Sequence, residues 1–267
     1  MSPAAAPVLV TGASGTVGRH VTAQLFEAGE TVRVAMRTPP PAHQVEPTGS
    51  AYVAFDFTDP DTWEAAFTGV TRMFVLRPPQ LTRVRRDMLP AVQAAQDAGV
   101  EHMVLLWVQD VEHLPMAPHA ALERWLRRSG LSWTFVRPSF FMENLIYPHG
   151  DDIRDWDAIT VPAGGGRTAF VAGPAALTYH AVAAILRDVL GRPIAYPRPG
   201  MLQHVRHARV DLAMPWPLVV LTGIIYTTAR LGLADGLTAD VQKVTGEAPE
   251  SLRSWSIRHT EVWRATR

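Results

Sequence analysis

The sequence of 267 residues contains no cysteine, and Lys243 is the one lysine among its 25 basic residues. Without cysteine the chain has no disulfide, no thiolate nucleophile and no metal site built from thiolates. The scarcity of lysine also excludes a tyrosine whose pKa is lowered by a lysine four residues later. None of the five tyrosines has that neighbour: Tyr52, Tyr147, Tyr179, Tyr196 and Tyr226.

The chain lacks any excess of charge, since Lys plus Arg and Asp plus Glu both number 25. No basic field favours nucleic acid, and no basic amphipathic segment favours a membrane surface. The longest apolar run near the C-terminus, 218–226, is too short to span a bilayer. The first seven residues lack the charged start of a signal peptide, so we expect a cytoplasmic protein.

Apolar runs and helical patterns alternate through the first half of the chain, and 47% of all residues are apolar. The runs predict strands at 8–10, 31–36, 51–55, 72–76, 102–107 and 132–136. The intervening patterns predict helices at 16–28, 61–67, 83–98 and 118–128. Such alternation is typical of an α/β fold, a doubly wound parallel sheet of the Rossmann type.

The alternation stops after residue 138. Residues 147–166 have the prolines and glycines of a loop, and helical patterns return at 179–190, 202–211, 217–231, 238–244 and 251–263. We therefore predict one domain over 1–267, with a nucleotide-binding core at about 1–140 and a small, mostly helical lobe at about 141–267. His180, His204 and His207 lie on predicted helices of the lobe, where such isolated histidines are more often surface residues than ligands.

Gly12, Gly15 and Gly18 form a glycine-rich turn between the first strand and the first helix. Glycines at this place permit a tight turn and let the pyrophosphate of a dinucleotide approach the helix N-terminus. The spacing differs from the G-x-G-x-x-G pattern of two-half dehydrogenases, and a purely structural strand–helix turn is the alternative. We predict a nucleotide site at this turn.

The residue after the second strand distinguishes the two nicotinamide dinucleotides. NAD-binding chains usually have an acidic residue there, which binds the ribose 2′-hydroxyl. Here Arg37 occupies the place, and a guanidinium suits a 2′-phosphate. With Ser14 as a second contact, we predict NADP(H) in preference to NAD(H), the alternative being that Arg37 is a solvated loop residue.

Other residues at strand ends extend the predicted cofactor site. Asp56 follows the third strand, where it either meets the adenine edge or only forms a turn. Pro78 and Pro79 follow the fourth strand and stiffen the wall beside the nicotinamide-side ribose. Arg77, just before them, faces either the cofactor or solvent.

His119 and Glu123 are the candidate proton-transfer pair. Residues four apart lie on one helix face, so the carboxylate is placed to orient the imidazole as proton donor or as ribose contact. The alternative is an ordinary surface pair. A metal site is less favoured, because the sequence shows no third ligand.

Bulky apolar side chains are the candidates for substrate contact. Trp107 ends the fifth strand, where it either stacks on a flat substrate or belongs to the core. Phe140, Phe141, Met142 and Trp156 either line a hydrophobic substrate pocket or only seal the lobe.

The chain resembles the NmrA-like branch of the atypical short-chain dehydrogenase/reductases almost end to end. The resemblance rests on the glycine turn at 11–18, Arg-Val-Ala-Met-Arg at 33–37, Pro-His-Ala-Ala-Leu-Glu at 118–123 and the long block at 129–145, which contains Arg-Pro-Ser-Phe-Phe-Met-Glu-Asn-Leu. Val-Pro-Ala-Gly-Gly-Gly-Arg at 161–167 and Leu-Thr-Tyr at 177–179 extend it. It implies a Rossmann-type domain that binds NADP(H). The cofactor contacts that it implies are Gly12, Ser14, Gly15, Thr16, Val17, Gly18, Arg37, Asp56, Phe57, Leu76, Arg77 and Pro78, and His119 takes the place of the lost tyrosine.

Two features depart from the family pattern. Trp107 stands where the family commonly has a serine beside the nicotinamide, and Asp110 stands at a family glycine. About 30 residues are also absent near 171–173, roughly the size of one crossover unit. We expect this loss to expose an apolar flank, covered by a partner subunit or a hydrophobic ligand.

The first functional hypothesis is an NADPH-dependent reductase of a small, largely apolar carbonyl, enone or quinone, of the kind found in natural-product pathways. Binding and exclusion of water supply most of the catalysis, and the proton comes from His119 or from solvent. The alternatives are a non-redox isomerase, cyclase or dehydratase on the same scaffold, and a non-catalytic NADP(H)-sensing regulator. The expected partners are a small-molecule substrate and a second copy over the abridged flank, with no nucleic acid and no membrane.

Overall fold

A computed structural model describes residues 6–41, 51–78, 80–81, 83–107, 118–138, 140–169 and 173–264. The chain divides into two compact units, residues 1–137 and 138–267. Each unit has its own hydrophobic core. Among the described residues, no helix combines the length and the apolar character needed to cross a membrane.

The first unit is built on a six-stranded parallel sheet with the strand order β3-β2-β1-β4-β5-β6. The strands are β1 (Val8–Val10), β2 (Val32–Met36), β3 (Ala51–Ala54), β4 (Arg72–Leu76), β5 (His102–Leu106) and β6 (Ser132–Val136). The helices are α1 (Thr16–Glu27), α2 (Trp63–Phe67), α3 (Val84–Asp87), α4 (Leu89–Asp97) and α5 (Pro118–Leu126). The order reverses between β1 and β4, which is the point where doubly wound sheets bind ligands. The predicted fold class is confirmed.

Apolar side chains on the two faces of this sheet explain why its central strands are so completely buried. Alternate residues of a strand point to opposite faces. Leu9 and Met73 therefore belong to one cluster, and Val10 and Phe74 belong to another. The parallel sheet is thus covered on both faces, as its run of apolar residues requires.

The helix predicted at 83–98 is wrong in one respect, because the structure has two helices there. Met88 lies between α3 and α4 with φ of −123°. Pro90 is the second residue of α4, and it has no N–H to donate to a carbonyl four residues earlier. A proline is tolerated in the first turn of a helix, so the chain ends one helix and starts another.

The second unit is mostly helical, as predicted, and contains one two-stranded antiparallel sheet of β7 (Arg167–Ala169) and β8 (Ala176–Thr178). Its helices are α6 (Gly150–Asp155), α7 (Tyr179–Leu190), α8 (Met201–Val210), α9 (Trp216–Arg230), α10 (Asp240–Thr245) and α11 (Leu252–Arg258). Short 3-10 helices lie at Met142–Leu145 and Thr260–Trp263. The loop predicted over 147–166 is wrong because it contains α6, and the helix predicted over 251–263 is interrupted at His259, where φ is −108°.

Candidate cofactor site

Thr11 holds the start of the glycine turn against the end of β4. Its Oγ1 donates to the Phe74 carbonyl at 3.1 Å and accepts from the Leu76 N–H at 2.9 Å. The side chain is 1% exposed, so it replaces the water that these backbone groups would otherwise bind. Sequence reasoning had used Thr11 only as part of a motif, whereas the structure shows it joining the two central strands at the ligand edge.

Packing requires glycine at two positions of the turn. Gly12 has φ of +64°, and a Cβ on it would lie 2.6 Å from Leu76 Cδ2. A Cβ on Gly18 would lie 2.1 Å from the Gly12 carbonyl oxygen. The first turn of α1 therefore lies directly against the backbone of the loop, which is the close approach that the motif predicts.

The N-terminus of α1 is available to an anion. Gly15 is its N-cap residue, and in the described part of the chain no side chain caps the helix and no acidic residue lies in its first turn. Gly15, Thr16 and Ser14 are exposed. Free N–H groups and the positive end of the helix dipole attract negative charge, so this end fits a pyrophosphate.

A cavity of about 410 Å³ is lined by Ser14, Met36, Arg37 and Thr38. The structure thus brings together Ser14 of the glycine turn and Arg37 after β2, two residues that the sequence predicts as contacts of the 2′-phosphate. Met36 and Thr38 were missed, although their place beside Arg37 at a strand end was a usable signal. The hydroxyls of Ser14 and Thr38 and the exposed guanidinium of Arg37 form a donor set that suits a phosphate.

Asp56 forms a turn in this structure. Its Oδ1 accepts from the Thr58 N–H at 2.8 Å and from Thr58 Oγ1 at 2.7 Å. Phe57 is 5% exposed and packs edge-on against Phe55, with ring centroids 4.8 Å apart. The turn predicted as the alternative for Asp56 is therefore present, and contact of either residue with the adenine stays a prediction.

Arg77 supports the loop after β4. Its guanidinium donates to the carbonyls of Pro78 and Leu81 at 3.3 and 3.1 Å, and burial lowers the pKa of Arg77. Leu76 meets the glycine turn at Gly12. Pro79 lies outside the described residues. In the structure the Arg77 side chain therefore contacts the backbone of its own loop, and its contact with the cofactor stays a prediction.

Trp107 is 4% exposed and belongs to the core cluster of the first unit. The residue directly follows β5, and its backbone N–H donates to the Val136 carbonyl at 2.8 Å. This placement favours the core interpretation of Trp107. Its neighbours 108–117, which include Asp110, lie outside the described residues.

Glu123 is buried beside an arginine. Its two carboxylate oxygens accept from Arg137 Nε at 3.1 Å and from Arg137 Nη2 at 2.7 Å, and the residue is 5% exposed. The surface pair predicted as one alternative is therefore wrong for Glu123, because the helix faces the core at this position. His119 lies on α5 with its side chain outside the described part, so its pairing with Glu123 stays a prediction.

The predicted substrate residues lie in the second unit. Phe140 is 6% exposed and meets the Tyr179 ring edge-on, with centroids 6.2 Å apart. Phe141 is half-buried, and Met142 lines an apolar cavity of about 120 Å³ together with Pro174 and Leu252. Gly173, at the end of the predicted abridgement, also lines this cavity. Residues 170–172 lie outside the described ranges. Coverage of that flank by a partner stays a prediction.

Two lobe histidines are buried, so the expectation that they lie at the surface is wrong. His204 is 1% exposed, with Nε2 3.2 Å from Thr222 Oγ1. His207 is 7% exposed, with Nε2 2.8 Å from Asp152 Oδ1 and Nδ1 2.9 Å from Asp211 Oδ2. Each ring nitrogen of His207 thus lies within hydrogen-bond distance of a carboxylate oxygen.

Asp152 is the centre of this buried cluster. It is fully buried, and its Oδ2 lies 3.6 Å from Nδ1 of His149, whose Nε2 contacts the Tyr226 hydroxyl. Burial raises the pKa of Asp152, but interactions with His149 and His207 together outweigh burial and hold this pKa below its usual value. Among the described residues, no set of three or more histidines and acids has the geometry of a metal site.

A family model described as NAD(P)H-binding matches residues 12–157. The chain belongs to this NAD(P)H-binding family. The match covers Gly12, Gly15, Gly18 and Arg37, and the roles of these residues in cofactor binding stay predictions. The NmrA-like resemblance seen in the sequence is confirmed.

Two relatives of this chain are reductases by name. An NAD(P)H azoreductase of Xenophilus azovorans is 30% identical over 97% of this chain and 99% of its own length. A (4-alkanoyl-5-oxo-2,5-dihydrofuran-3-yl)methyl phosphate reductase of Streptomyces griseus is 32% identical over 96% of this chain and 99% of its own length. The solved NADPH complex of an NADPH-dependent quinone oxidoreductase of Escherichia coli shares the fold, with a TM-score of 0.84, 18% identity and coverage of 95% and 99% of the two chains.

The alignment with the azoreductase also bears on length. It spans 291 positions, whereas the whole chain has 267 residues. The azoreductase therefore has at least 24 residues without a counterpart here. The alignment length does not locate these residues, so the loss of a segment near 171–173 stays a prediction.

Proposed function

We propose that this chain is an NADPH-dependent reductase of a small, largely apolar carbonyl, enone or quinone. The observation that supports the proposal most is the uncapped N-terminus of α1 beside the cavity lined by Ser14 and Arg37. The family match and the azo-compound, dihydrofuranone and quinone reductases among the similar proteins support the same class of reaction.

Different residues of the first unit would bind different groups of the dinucleotide. The N–H groups at the start of α1 would bind the pyrophosphate, and Arg37 with Ser14 would bind a 2′-phosphate. A guanidinium in place of the usual acidic residue disfavours NAD(H), because it has no acceptor for the 2′-hydroxyl. We therefore infer a preference for NADP(H).

The reduced nicotinamide supplies a hydride when it is bound. The protein contributes binding, orientation and exclusion of water, since it has no tyrosine–lysine pair of the short-chain type. The proton that completes the reduction comes from His119 or from solvent. Phe140, Phe141 and Met142 are the proposed contacts of the apolar substrate.

Cofactor choice is tested by substituting Arg37, the charged residue proposed to bind the 2′-phosphate. Arg37→Glu is expected to weaken NADPH binding by about 10- to 100-fold and to leave NADH binding almost unchanged, because a charge-assisted contact becomes a repulsion. Arg85→Glu, an exposed residue of α3, is the matched control with the same change of charge. Equal losses for both dinucleotides, measured by titration calorimetry, would reject the role of Arg37.

The reaction is tested by following NADPH oxidation with a panel of quinones, enones and azo compounds. The proposal expects turnover with at least one apolar member of the panel. Tight NADPH binding without oxidation by any member would reject the reductase and retain the cofactor site.

The burial of Trp107, at the place of the family's serine, favours a second candidate. Without a hydroxyl at that position, the scaffold suits a non-redox isomerase, cyclase or dehydratase, or a sensor of the NADP(H) redox state. A non-redox enzyme would form product without net consumption of cofactor. A redox sensor would bind NADPH and NADP⁺ with unequal affinities and show no turnover.

A further inference from the structure

Helix α9 is apolar on both of its faces. Arg230 is the one charged residue among its 15 residues. An amphipathic helix at a surface normally has polar residues on the side away from the core, and a helix that is apolar all round is normally buried. α9 has the composition of the buried kind, yet half of it faces solvent.

The outer face of α9 consists of five large apolar residues. Their exposed fractions are Trp216 57%, Val220 55%, Leu221 41%, Ile224 54% and, at the C-cap, Leu231 67%. Spacings of three, four and seven residues place them on one side of the helix. They therefore form one continuous apolar strip rather than scattered surface residues.

The inner face of α9 combines small side chains with the large ring of Tyr226. The buried residues of the helix are Val219, Thr222, Gly223, Tyr226 and Ala229. A helix stabilised only by its own core would bury its larger aliphatic residues, because buried apolar area provides the stabilisation. Leu218 and Ile225 are partly buried against core clusters of the second unit, whereas Leu221, Ile224 and Trp216 point outward.

The area of the strip matches what a second copy would need. Exposed fractions of 41–67% on five large side chains leave roughly 500 Å² of apolar surface per copy. Two copies would bury about 1,000 Å² from these side chains alone, which is near the lower bound for a specific interface of about 1,000 Å². Interfaces between identical subunits are also more apolar than other interfaces, as this strip is.

Charge favours a second copy too. A two-fold axis through the strip brings no like charges together at its centre, because the charged Arg230 lies at the helix end. The Arg209 guanidinium, 5.1 Å from the Trp216 ring centre, lies at the opposite end of the strip from Arg230, so both charges flank the apolar centre. We propose that the outer face of α9 is the interface of a homodimer.

The oligomeric state of the full chain tests this proposal directly. Light scattering or sedimentation of the native protein is expected to show a dimer at about 10 µM, within the ordinary range of specific complexes. Ile224→Glu is expected to weaken the dimer at least 100-fold, because it buries one carboxylate from each copy. Ile257→Glu, 58% exposed on α11 and outside the strip, is the matched control and is expected to leave the dimer intact.

Because the chain has no cysteine, cross-linking of single-cysteine variants provides a second measurement that does not depend on placing Glu at the interface. Ile224→Cys and Ile257→Cys each create a chain with a single thiol. A short bismaleimide is expected to link two copies of the Ile224→Cys protein at high yield and to leave the Ile257→Cys protein as single chains.

Three results would overturn the proposal. The first is a native chain that stays monomeric at about 100 µM, a concentration at which a specific dimer forms. The second is a dimer that Ile224→Glu leaves intact, together with equal cross-linking of both thiols. The third is a native monomer that sediments with phosphatidylcholine–phosphatidylglycerol vesicles and loses this binding in Ile224→Glu, because the strip would then meet a membrane surface.

Discussion

The two units of the protein hold their buried polar side chains in different ways. In the described part of the first unit, the buried polar residues are separate from one another, and each has its own partner: Thr11 with backbone, Asp87 with Arg86, Glu123 with Arg137. The second unit instead buries His149, Asp152 and His207 as one connected cluster. The first unit therefore depends on close backbone packing, and the second depends on a charged network.

The largest expected effect comes from breaking the network at its centre. Asp152→Asn removes the charge between His149 and His207 and is expected to lower the free energy of unfolding by about 3 kcal/mol, because one partner of a buried pair is left uncompensated. Urea unfolding provides the measurement.

Asp211→Asn is the matched control, since Asp211 binds the other nitrogen of the same His207 ring. Its side chain is 41% exposed, so we expect a loss within about 1 kcal/mol. Equal losses for the two variants would contradict the view that burial of the network decides the stability of the second unit.

The next effect is on the first unit, through its backbone. Gly18→Ala places a methyl group 2.1 Å from the Gly12 carbonyl oxygen, and we expect a loss of about 2 kcal/mol in stability and a loss of NADPH binding. The matched control is Gly165→Ala, where a Cβ meets no atom within 4 Å and φ is not positive.

Calorimetric titration with NADPH separates the two consequences. A Gly18→Ala protein that binds NADPH as the native chain does would show that α1 need not lie against the glycine turn. We expect Gly165→Ala to bind NADPH normally, because it lies in the second unit and alters no close approach.

The smallest effect is a pH dependence confined to the second unit. Burial lowers the pKa of His204 from 6.5. The unfolded chain then takes up the proton first as the pH falls, so stability is fully present above pH 6.5 and is lost as the pH falls towards the folded pKa. The slope is at most about 1.4 kcal/mol per pH unit for one proton.

Unfolding between pH 8 and 5 compares the native chain with His204→Gln, which keeps a donor and an acceptor for Thr222. The variant is expected to lose this part of the slope. His149, His207 and Asp152 also face His204, and the pKa of Asp152 is lowered from 3.8, so that group titrates below this window. An unchanged slope in the variant would assign the pH dependence to another group.

The sequence predicted most of the first unit because the signals there are local. The run Val8–Val10 and the glycines after it specify a strand, a turn and a helix within about 20 residues, and β4 and β6 have the predicted bounds. The prediction of one helix over 83–98 was wrong because a competing local rule was missed. Pro90 lies in the first turn of α4 instead of within a longer helix.

The second unit was harder to predict because its polar residues depend on contacts between distant segments. Asp152 and His207 are 55 residues apart, and His149 and Tyr226 are 77 residues apart. Helical periodicity located α7 to α9 almost correctly, but it contains no information on whether a histidine has a buried partner. Two histidines predicted at the surface are buried for this reason.

The sequence by itself determined the nucleotide-binding architecture and the guanidinium at the end of β2, since both follow from residue order within a single strand–turn–helix unit. Only the tertiary structure decided that Trp107 and Glu123 are buried, that Asp152 joins two histidines, and that α9 turns an apolar face to solvent. Burial depends on which distant segments pack together. The same residue type therefore has different surroundings, and a different role, in each unit.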